Sequence, residues 1–369
     1  MKRGLYIHIP FCKQKCNYCD FASFAGQELQ MDAYLGALAH EAALNKEIAC
    51  RTLYVGGGTP SLLARHQLHR LAKIIRKNFT PITSFEESTF EANPESITPA
   101  KIATLRELGF NRLSLGLQSF NNHELKTLGR VHNAEQFLTA YEAARTGGFE
   151  NINVDLMAGL PGQTLQSFTD SLRRLIQLRP AHISVYGLQI EEGTPFFARG
   201  VVCDQLLMRQ MLEATDEQLT AAGYHHYEIS NYALPGKEAV HNTNYWQNGE
   251  YVGLGCAAAS YRNGKRKQNT PDLSEYIFDM ENGKTPIVFA ERLTGKAREG
   301  ESLMLAFRQL DGVELTPRQT DFFGTEIEKH VQNGLLMRAD KKVKLTKEGL
   351  YLANEVMRSF VAPFEDICK

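Results

Sequence analysis

The 369-residue sequence has no run approaching the roughly 20 consecutive apolar residues of a membrane-spanning helix, so no integral membrane segment is expected. It also lacks a charge bias: 41 Lys and Arg against 42 Asp and Glu give a net charge of -1. That balance removes any whole-chain electrostatic reason to expect nucleic acid or an acidic membrane surface as a partner. Only Arg262-Asn-Gly-Lys-Arg-Lys267 is locally basic, and a solvated turn explains it at least as well as a binding site. The N-terminal run, Met1 to Pro10, has an apolar stretch too short for a signal peptide, and no small-residue cleavage site follows. A cytoplasmic location is therefore expected. Internal repeats and low-complexity segments are missing too. So is an even set of cysteines: there are seven, three of them within Cys12 to Cys19, while Cys50, Cys203, Cys256 and Cys368 are scattered. In a reducing compartment that pattern favours metal ligation over a disulfide framework.

What is present is enough apolar sequence, 43% of residues, to bury a substantial core in more than one domain. Extended apolar runs alternate with helical periodicity. Strands are expected at Leu5 to Ile9, Leu53 to Val55, Ser88 to Ala92, Arg112 to Leu117, Asn151 to Leu156 and His182 to Leu188. Helices are expected between them, at about Met31 to Asn45, Ala64 to Asn78, Thr98 to Leu108, Asn133 to Arg145 and Leu165 to Leu178. Six such steps make a parallel sheet with crossover helices, short of the eight of a closed barrel. The expectation is an α/β fold: a partial (βα)6 TIM-type barrel over 1–195, a barrel-covering extension over 196–290, and a winged-helix-like α+β domain over 291–369. A winged helix often means DNA, but with a neutral chain a docking or lid role is the better expectation.

Chemistry-bearing residues sit just after the strands, at the face where barrels of this type place their active sites. Cys12-Lys-Gln-Lys-Cys16-Asn-Tyr-Cys19 sets three soft thiolates on one loop, a density that selects zinc or an iron-sulfur cluster. A structural zinc site wants a fourth ligand that the local sequence does not supply. Three thiolates on a four-iron cube leave one iron open. Gly56-Gly-Gly-Thr-Pro60 follows the second strand, where glycines let a ligand approach exposed backbone groups; tight βα turns use them as well. Glu91 follows the third strand, Gln118 the fourth and Asp155 lies on the fifth, while Arg130 offers a guanidinium suited to a carboxylate or to a surface salt bridge. Together they offer acceptors for an ammonium and ribose hydroxyls and a cation for a carboxylate, with Tyr18 as the aromatic for an adenine.

The C-x3-C-x2-C spacing resembles the signature of the radical-SAM superfamily. Leu5-Tyr-Ile-His-Ile-Pro-Phe-Cys12, the glycine run, Glu91-Ala-Asn-Pro94 and Leu128-Gly-Arg-Val-His132 are similar to the oxygen-independent coproporphyrinogen III oxidase family over nearly the whole chain. The resemblance implies a [4Fe-4S] cluster on Cys12, Cys16 and Cys19. It also implies S-adenosyl-L-methionine contacts from Tyr6, Tyr18, Gly58, Thr59, Glu91, Gln118, Arg130 and Asp155. Two departures narrow it: the oxidase motif continues to a fourth cysteine where this chain has Phe21, and the oxidase carries a longer N-terminal segment. The heme-chaperone branch instead has a His-Asn-x-x-Tyr-Trp segment, here His241-Asn-Thr-Asn-Tyr-Trp246, which makes His241 a candidate heme contact, although a lone histidine is more often structural. That family often reads Gly-x-Gly-Pro-Gly-Ala-His-Ser further on; here the segment is Gly253-Leu-Gly-Cys-Ala-Ala-Ala-Ser260, with Ala259 in the histidine's place.

Two expectations follow. The first is a binding protein that takes up heme as cargo and hands it to an acceptor hemoprotein, such as one of the respiratory chain, with cluster and S-adenosyl-L-methionine regulating uptake, release or homodimer formation. The second is an enzyme performing radical oxidative decarboxylation of porphyrinogen propionates, in which the cofactors carry the hard chemistry. The two departures favour the first.

Overall fold

The structure, a computed structural model, describes residues 3–46 and 48–363; Met1, Lys2 and Cys368, together with the end of the 291–369 unit, lie outside the described residues. Six strands form where apolar and polar residues alternate: β1 (Gly4–Ile9), β2 (Thr52–Gly57), β3 (Glu87–Ala92), β4 (Arg112–Gln118), β5 (Asn151–Ala158) and β6 (His182–Gly187). They pair in parallel and in chain order. The crossover helices are α1 (Met31–Leu44), α2 (Arg65–Asn78), α3 (Pro99–Leu108), α4 (Ala134–Thr146) and α5 (Leu165–Leu178), and α6 (Gln205–Ala221) follows β6. Local chemistry sets their ends. Thr98 caps α3 by accepting from the Lys101 N–H, Pro99 stands in its first turn, and Gly109 ends it at φ 103°. A reciprocal Thr164–Ser167 cap opens α5.

The later strands join the same sheet at both edges. β7 (His225–Glu228) and β8 (Asn231–Ala233) add antiparallel beside β6. At the other edge β9 (Tyr251–Leu254) pairs parallel with β1, and β10 (Ala259–Arg262), β11 (Lys265–Asn269) and β12 (Ile287–Arg292) follow antiparallel. Among the described residues the order is β12-β11-β10-β9-β1-β2-β3-β4-β5-β6-β8-β7, an open mixed sheet. Asn263 at φ 51° and Gly264 at φ 70° form the two-residue turn of the β10–β11 hairpin. Segment 196–290 thus lengthens the barrel wall, and it also supplies α7 (Val240–Trp246) and α8 (Leu273–Glu281).

One apolar core lies between sheet and helices, built from alternate strand residues such as Leu5, Ile7, Val55, Phe90, Leu113, Leu115, Val154 and Ile183. The tail has its own core around Leu303, Phe307, Phe323, Ile327, Val356 and Phe360. Here α9 (Gly295–Ala306) and α10 (Pro317–Gln332) accompany a small sheet of β13 (Val313–Glu314), β14 (Leu336–Ala339) and β15 (Lys342–Leu345), the helices-then-hairpin order expected of a winged-helix-like unit. Arg209 of α6 clamps Glu348 of the tail with bonds of 2.9 and 2.7 Å. Among the described residues no helix is long and apolar enough to cross a membrane.

Glu41 of α1 ties the β9–β11 edge to the main core. Its carboxylate accepts from the Gly255 N–H at 2.7 Å, Asn269 Nδ2 at 2.6 Å and the Tyr276 hydroxyl at 2.7 Å. Burial pushes its carboxyl up to about 7, against the opposing pull of those three donors. The folded chain therefore holds a proton that the unfolded chain, at an ordinary 4.5, has released, and stability from this site falls as pH rises from about 4.5 through about 7. We expect Glu41→Gln to flatten that slope in urea denaturation between pH 5 and pH 8. Glu41→Ala, which leaves buried donors unpaired, should lower the unfolding free energy by about 3 kcal/mol.

Candidate functional site

The cysteine loop leaves β1 through Pro10 and is pinned at both ends. Phe11 and Cys12 pair with Phe24 and Ala25, and Asn17 bonds the Leu128 carbonyl through its N–H at 2.9 Å and the Thr127 carbonyl through Nδ2 at 2.8 Å. Cys12, Cys16 and Cys19 are all half-buried free thiols, and burial pushes the Cys12 and Cys19 thiols up. Among the described residues no three His, Cys, Asp or Glu side chains converge as ligands of one metal ion. A four-iron cube takes each thiolate on a separate iron, and an all-thiol donor set of three suits it. These three residues could hold such a cluster.

Two of the thiols are joined by a chain of hydrogen bonds. Arg130 donates to Cys16 Sγ at 3.7 Å and to Asn93 Oδ1 at 2.7 Å; Asn93 Nδ2 donates to Thr59 Oγ1 at 3.0 Å; Thr59 Oγ1 donates to Cys12 Sγ at 3.5 Å. Arg130 also donates to the Gly116 carbonyl at 3.0 Å. At Cys12 the Thr59 hydroxyl and the Arg130 charge oppose the upward push of burial without overcoming it.

Beneath the loop, the strand residues that point away from the helices are polar. Tyr54 donates to Glu91 Oε1, and Glu91 Oε2 accepts the Gly57 N–H at 3.1 Å. Asn153 donates to Asp155 Oδ1 at 2.7 Å and to Ser114 at 2.8 Å, while its own oxygen meets His182 at 2.6 Å and Ser184 at 3.0 Å. Burial, reinforced by the neighbouring Asp155 charge and resisted by the Tyr54 bond, pushes the Glu91 carboxyl up to about 7. Burial likewise raises Asp155. Gln118 ends β4 at a register shift with φ 70°, a left-handed conformation that costs a non-glycine residue about 1–3 kcal/mol and clusters at ligand sites. Tyr6 bonds His8 Nδ1 at 2.9 Å, and His8 Nε2 meets the Ala22 carbonyl at 2.8 Å. Tyr18 packs against the apolar group Leu128, Met157, Leu160, Leu188 and Phe196, so its ring has an apolar backing at the mouth.

Cys12, Cys16, Cys19, Tyr18, Glu91, Gln118, Arg130 and Asp155 thus lie toward one end of the sheet, while Tyr6 stands mid-strand on β1, level with Tyr54. The glycine loop differs from expectation. Its N–H groups are turned inward: Gly57 to Glu91, Gly58 to the Ile9 carbonyl at 2.9 Å and Thr59 to the Phe11 carbonyl at 2.7 Å. Gly58 is required because a Cβ there would stand 2.7 Å from the Phe11 oxygen. Close packing of the loop on β1 commits these three N–H groups to the protein itself.

His241 lies at the opposite end of the strands. Its Nδ1 meets Thr52 Oγ1 and its Nε2 the Tyr245 hydroxyl, both at 2.8 Å; it is 1% exposed, and burial drives its imidazole down to about 3. Neutral and bonded through both nitrogens, it has no lone pair free for iron in this arrangement. Glu87 fixes the segment by accepting the Val240 and His241 N–H groups at 2.8 and 3.1 Å. Tyr245 and Trp246 instead line a cavity of about 470 Å³ together with Tyr6, His8, Tyr251 and Tyr261.

Asn93, Tyr54, Asn153, His182, Ser184 and Arg112 belong to this constellation and were not singled out from sequence. A signal existed: Glu87-Ser-Thr-Phe-Glu91, Arg112-Leu-Ser-Leu-Gly116, Asn151-Ile-Asn-Val-Asp155 and His182-Ile-Ser-Val-Tyr186 each place polar residues at every second position, whereas doubly covered parallel strands are ordinarily apolar throughout.

Comparison with known proteins agrees with this geometry. A family profile described as the radical SAM superfamily matches residues 6–175. The heme chaperone HemW of Bacillus subtilis is 36% identical, covering 97% of this chain and 99% of that protein. HemW of Escherichia coli is 33% identical, over 97% and 98%. The structure of the coproporphyrinogen III oxidase HemN from Escherichia coli, a radical SAM enzyme, superimposes with a TM-score of 0.86 at 26% identity, covering 98% of this chain and 90% of that one. A half-buried thiol triplet over a polar strand face, carried on a chain this similar from end to end, places it: the chain belongs to the HemW family of the radical SAM superfamily.

Proposed function

We propose that this chain is a cytoplasmic heme chaperone that binds heme and delivers it to an acceptor hemoprotein, with a [4Fe-4S] cluster on Cys12, Cys16 and Cys19 and S-adenosyl-L-methionine beside it. The observation that carries the reading is the aromatic cavity against Tyr245 and Trp246, whose volume of about 470 Å³ falls in the range of roughly 300–1,000 Å³ typical of ligand sites. Its wall shares Tyr6 and His8 with the polar strand face, so cargo and cofactor would touch the same strand.

In this reading Arg130 holds the S-adenosyl-L-methionine carboxylate while staying bonded to Cys16, Glu91 and Asp155 accept from its ammonium and ribose hydroxyls, Gln118 borders the adenine and Tyr18 backs the mouth. When bound, the cluster and S-adenosyl-L-methionine supply one-electron chemistry. The protein's part is to bury the thiols, fix the carboxylates through Tyr54 and Asn153, and keep the guanidinium against sulfur. A second reading, porphyrinogen decarboxylation, draws on the superposition with HemN. Phe21, 63% exposed beside the loop, is no substitute for a cysteine and weighs against it. Anaerobic reconstitution followed by separate titrations decides between them: stoichiometric heme uptake without decarboxylation of coproporphyrinogen III supports the chaperone, and decarboxylation with 5′-deoxyadenosine release overturns it.

Two further outcomes are expected. Cys12→Ser, Cys16→Ser and Cys19→Ser should each fail to retain iron and sulfide after desalting, seen as loss of the charge-transfer absorbance. S-adenosyl-L-methionine affinity, read by isothermal titration, should rise from pH 6 to pH 8 as Glu91 loses the proton it holds up to about pH 7. Glu91→Gln should bind about tenfold more weakly and abolish that dependence, because it removes a charged acceptor worth about 1.5–3 kcal/mol.

A further inference from the structure

The aromatic cavity does not end at Tyr261. Asn248 and Tyr261 are shared with an adjoining cavity of about 240 Å³, whose wall carries Arg292 at the end of β12 and Arg298 on α9. Neither arginine forms an ion pair among the described residues. The larger chamber is the opposite in character. Tyr245, Trp246, Tyr251 and Tyr261 give it π faces, and Ala257 and Ala259 keep one wall shallow. Ala257, at φ 60°, and Asn248, at φ 50°, are held in the left-handed region, a conformation alanine ordinarily avoids and one that collects at ligand clamps. The one cation of the larger chamber, Arg266, is already committed to Glu291 and Glu301.

An aromatic-walled chamber adjoins two guanidinium groups without an ion pair among the described residues, beside Glu250, whose carboxylate already serves Arg3 and the Asn263 N–H. This suits a flat, largely apolar ligand with carboxylates along one edge. We propose that the two cavities together form the heme site. The macrocycle lies against Tyr245, Trp246 and Tyr261, and the propionate carboxylates reach Arg292 and Arg298. This rests on the heme-binding reading above and gives it a location distinct from His241. It also gives the basic hairpin neighbourhood a role in recognition, since Asn263 and Gly264 of the β10–β11 turn border the arginine chamber. Arg308 packs on Trp246, its guanidinium carbon 4.3 Å from the ring centroid.

The test uses the full-length reconstituted protein and absorbance titrations with two probes: heme, and an iron porphyrin carrying ethyl groups in place of the propionates. Arg292→Glu combined with Arg298→Glu, both exposed positions, should weaken heme binding by tenfold or more and leave the carboxylate-free porphyrin unaffected. Ala259→Trp, which fills the aromatic chamber, should weaken both probes, with a near-ultraviolet circular dichroism spectrum confirming the fold. Wild-type protein that binds heme while both variants bind it equally well overturns the location and leaves the chaperone reading standing. Wild-type protein that takes up no heme overturns the reading and the site with it.

Discussion

The two-residue period of six parallel strands is the constraint on which everything else in this molecule rests. On one face Leu113, Leu115, Val154, Leu156, Ile183 and Val185 meet the helices. On the other, Arg112, Ser114, Asn153, Asp155, His182 and Ser184 face one another across the sheet. A slip of one residue in any strand would drive carboxylates into the helix layer and leucines into the site, so the register is strongly specified. Because the parallel ladder brings Asp155 level with Gly116 and Ser184, and Glu91 level with Ser114, residues far apart in sequence arrive at one rim without any loop having to place them.

Most groups of that polar face satisfy each other, although Arg112 Nε and Asn151 Oδ1 find no hydrogen-bond partner among the described residues. Asn153 serves four partners, Glu91 is held by a tyrosine and a backbone N–H, and Arg130 closes the series at the thiols. In a low-dielectric setting such a network is rigid when complete and costly when broken. The same rule fixes His241: with Thr52 and Tyr245 on its two nitrogens, it is a strut under the barrel, and it is the neighbouring Tyr245 and Trp246 that reach the cavity. Tyr6, on β1, borders both the polar strand face and that cavity, so one strand between β2 and β9 connects the two.

The sequence by itself determined the six βα units, their boundaries to within a residue or two, the cysteine triplet and the rim positions of Glu91, Gln118, Arg130 and Asp155. These follow from local periodicity, capping and position relative to strand ends, all of which are short-range properties. Tertiary structure alone decided what sequence spacing cannot encode. The pairing of β9 with β1 turned segment 196–290 into barrel wall. The docking of the glycine loop on β1 consumed its N–H groups. The Glu87 cap on α7 sent His241 inward, and the meeting of β10, β12 and α9 brought Tyr261, Arg292 and Arg298 around adjoining cavities. Each is a contact between segments tens to hundreds of residues apart, whose energy depends on which donors and faces are still uncommitted when the elements meet.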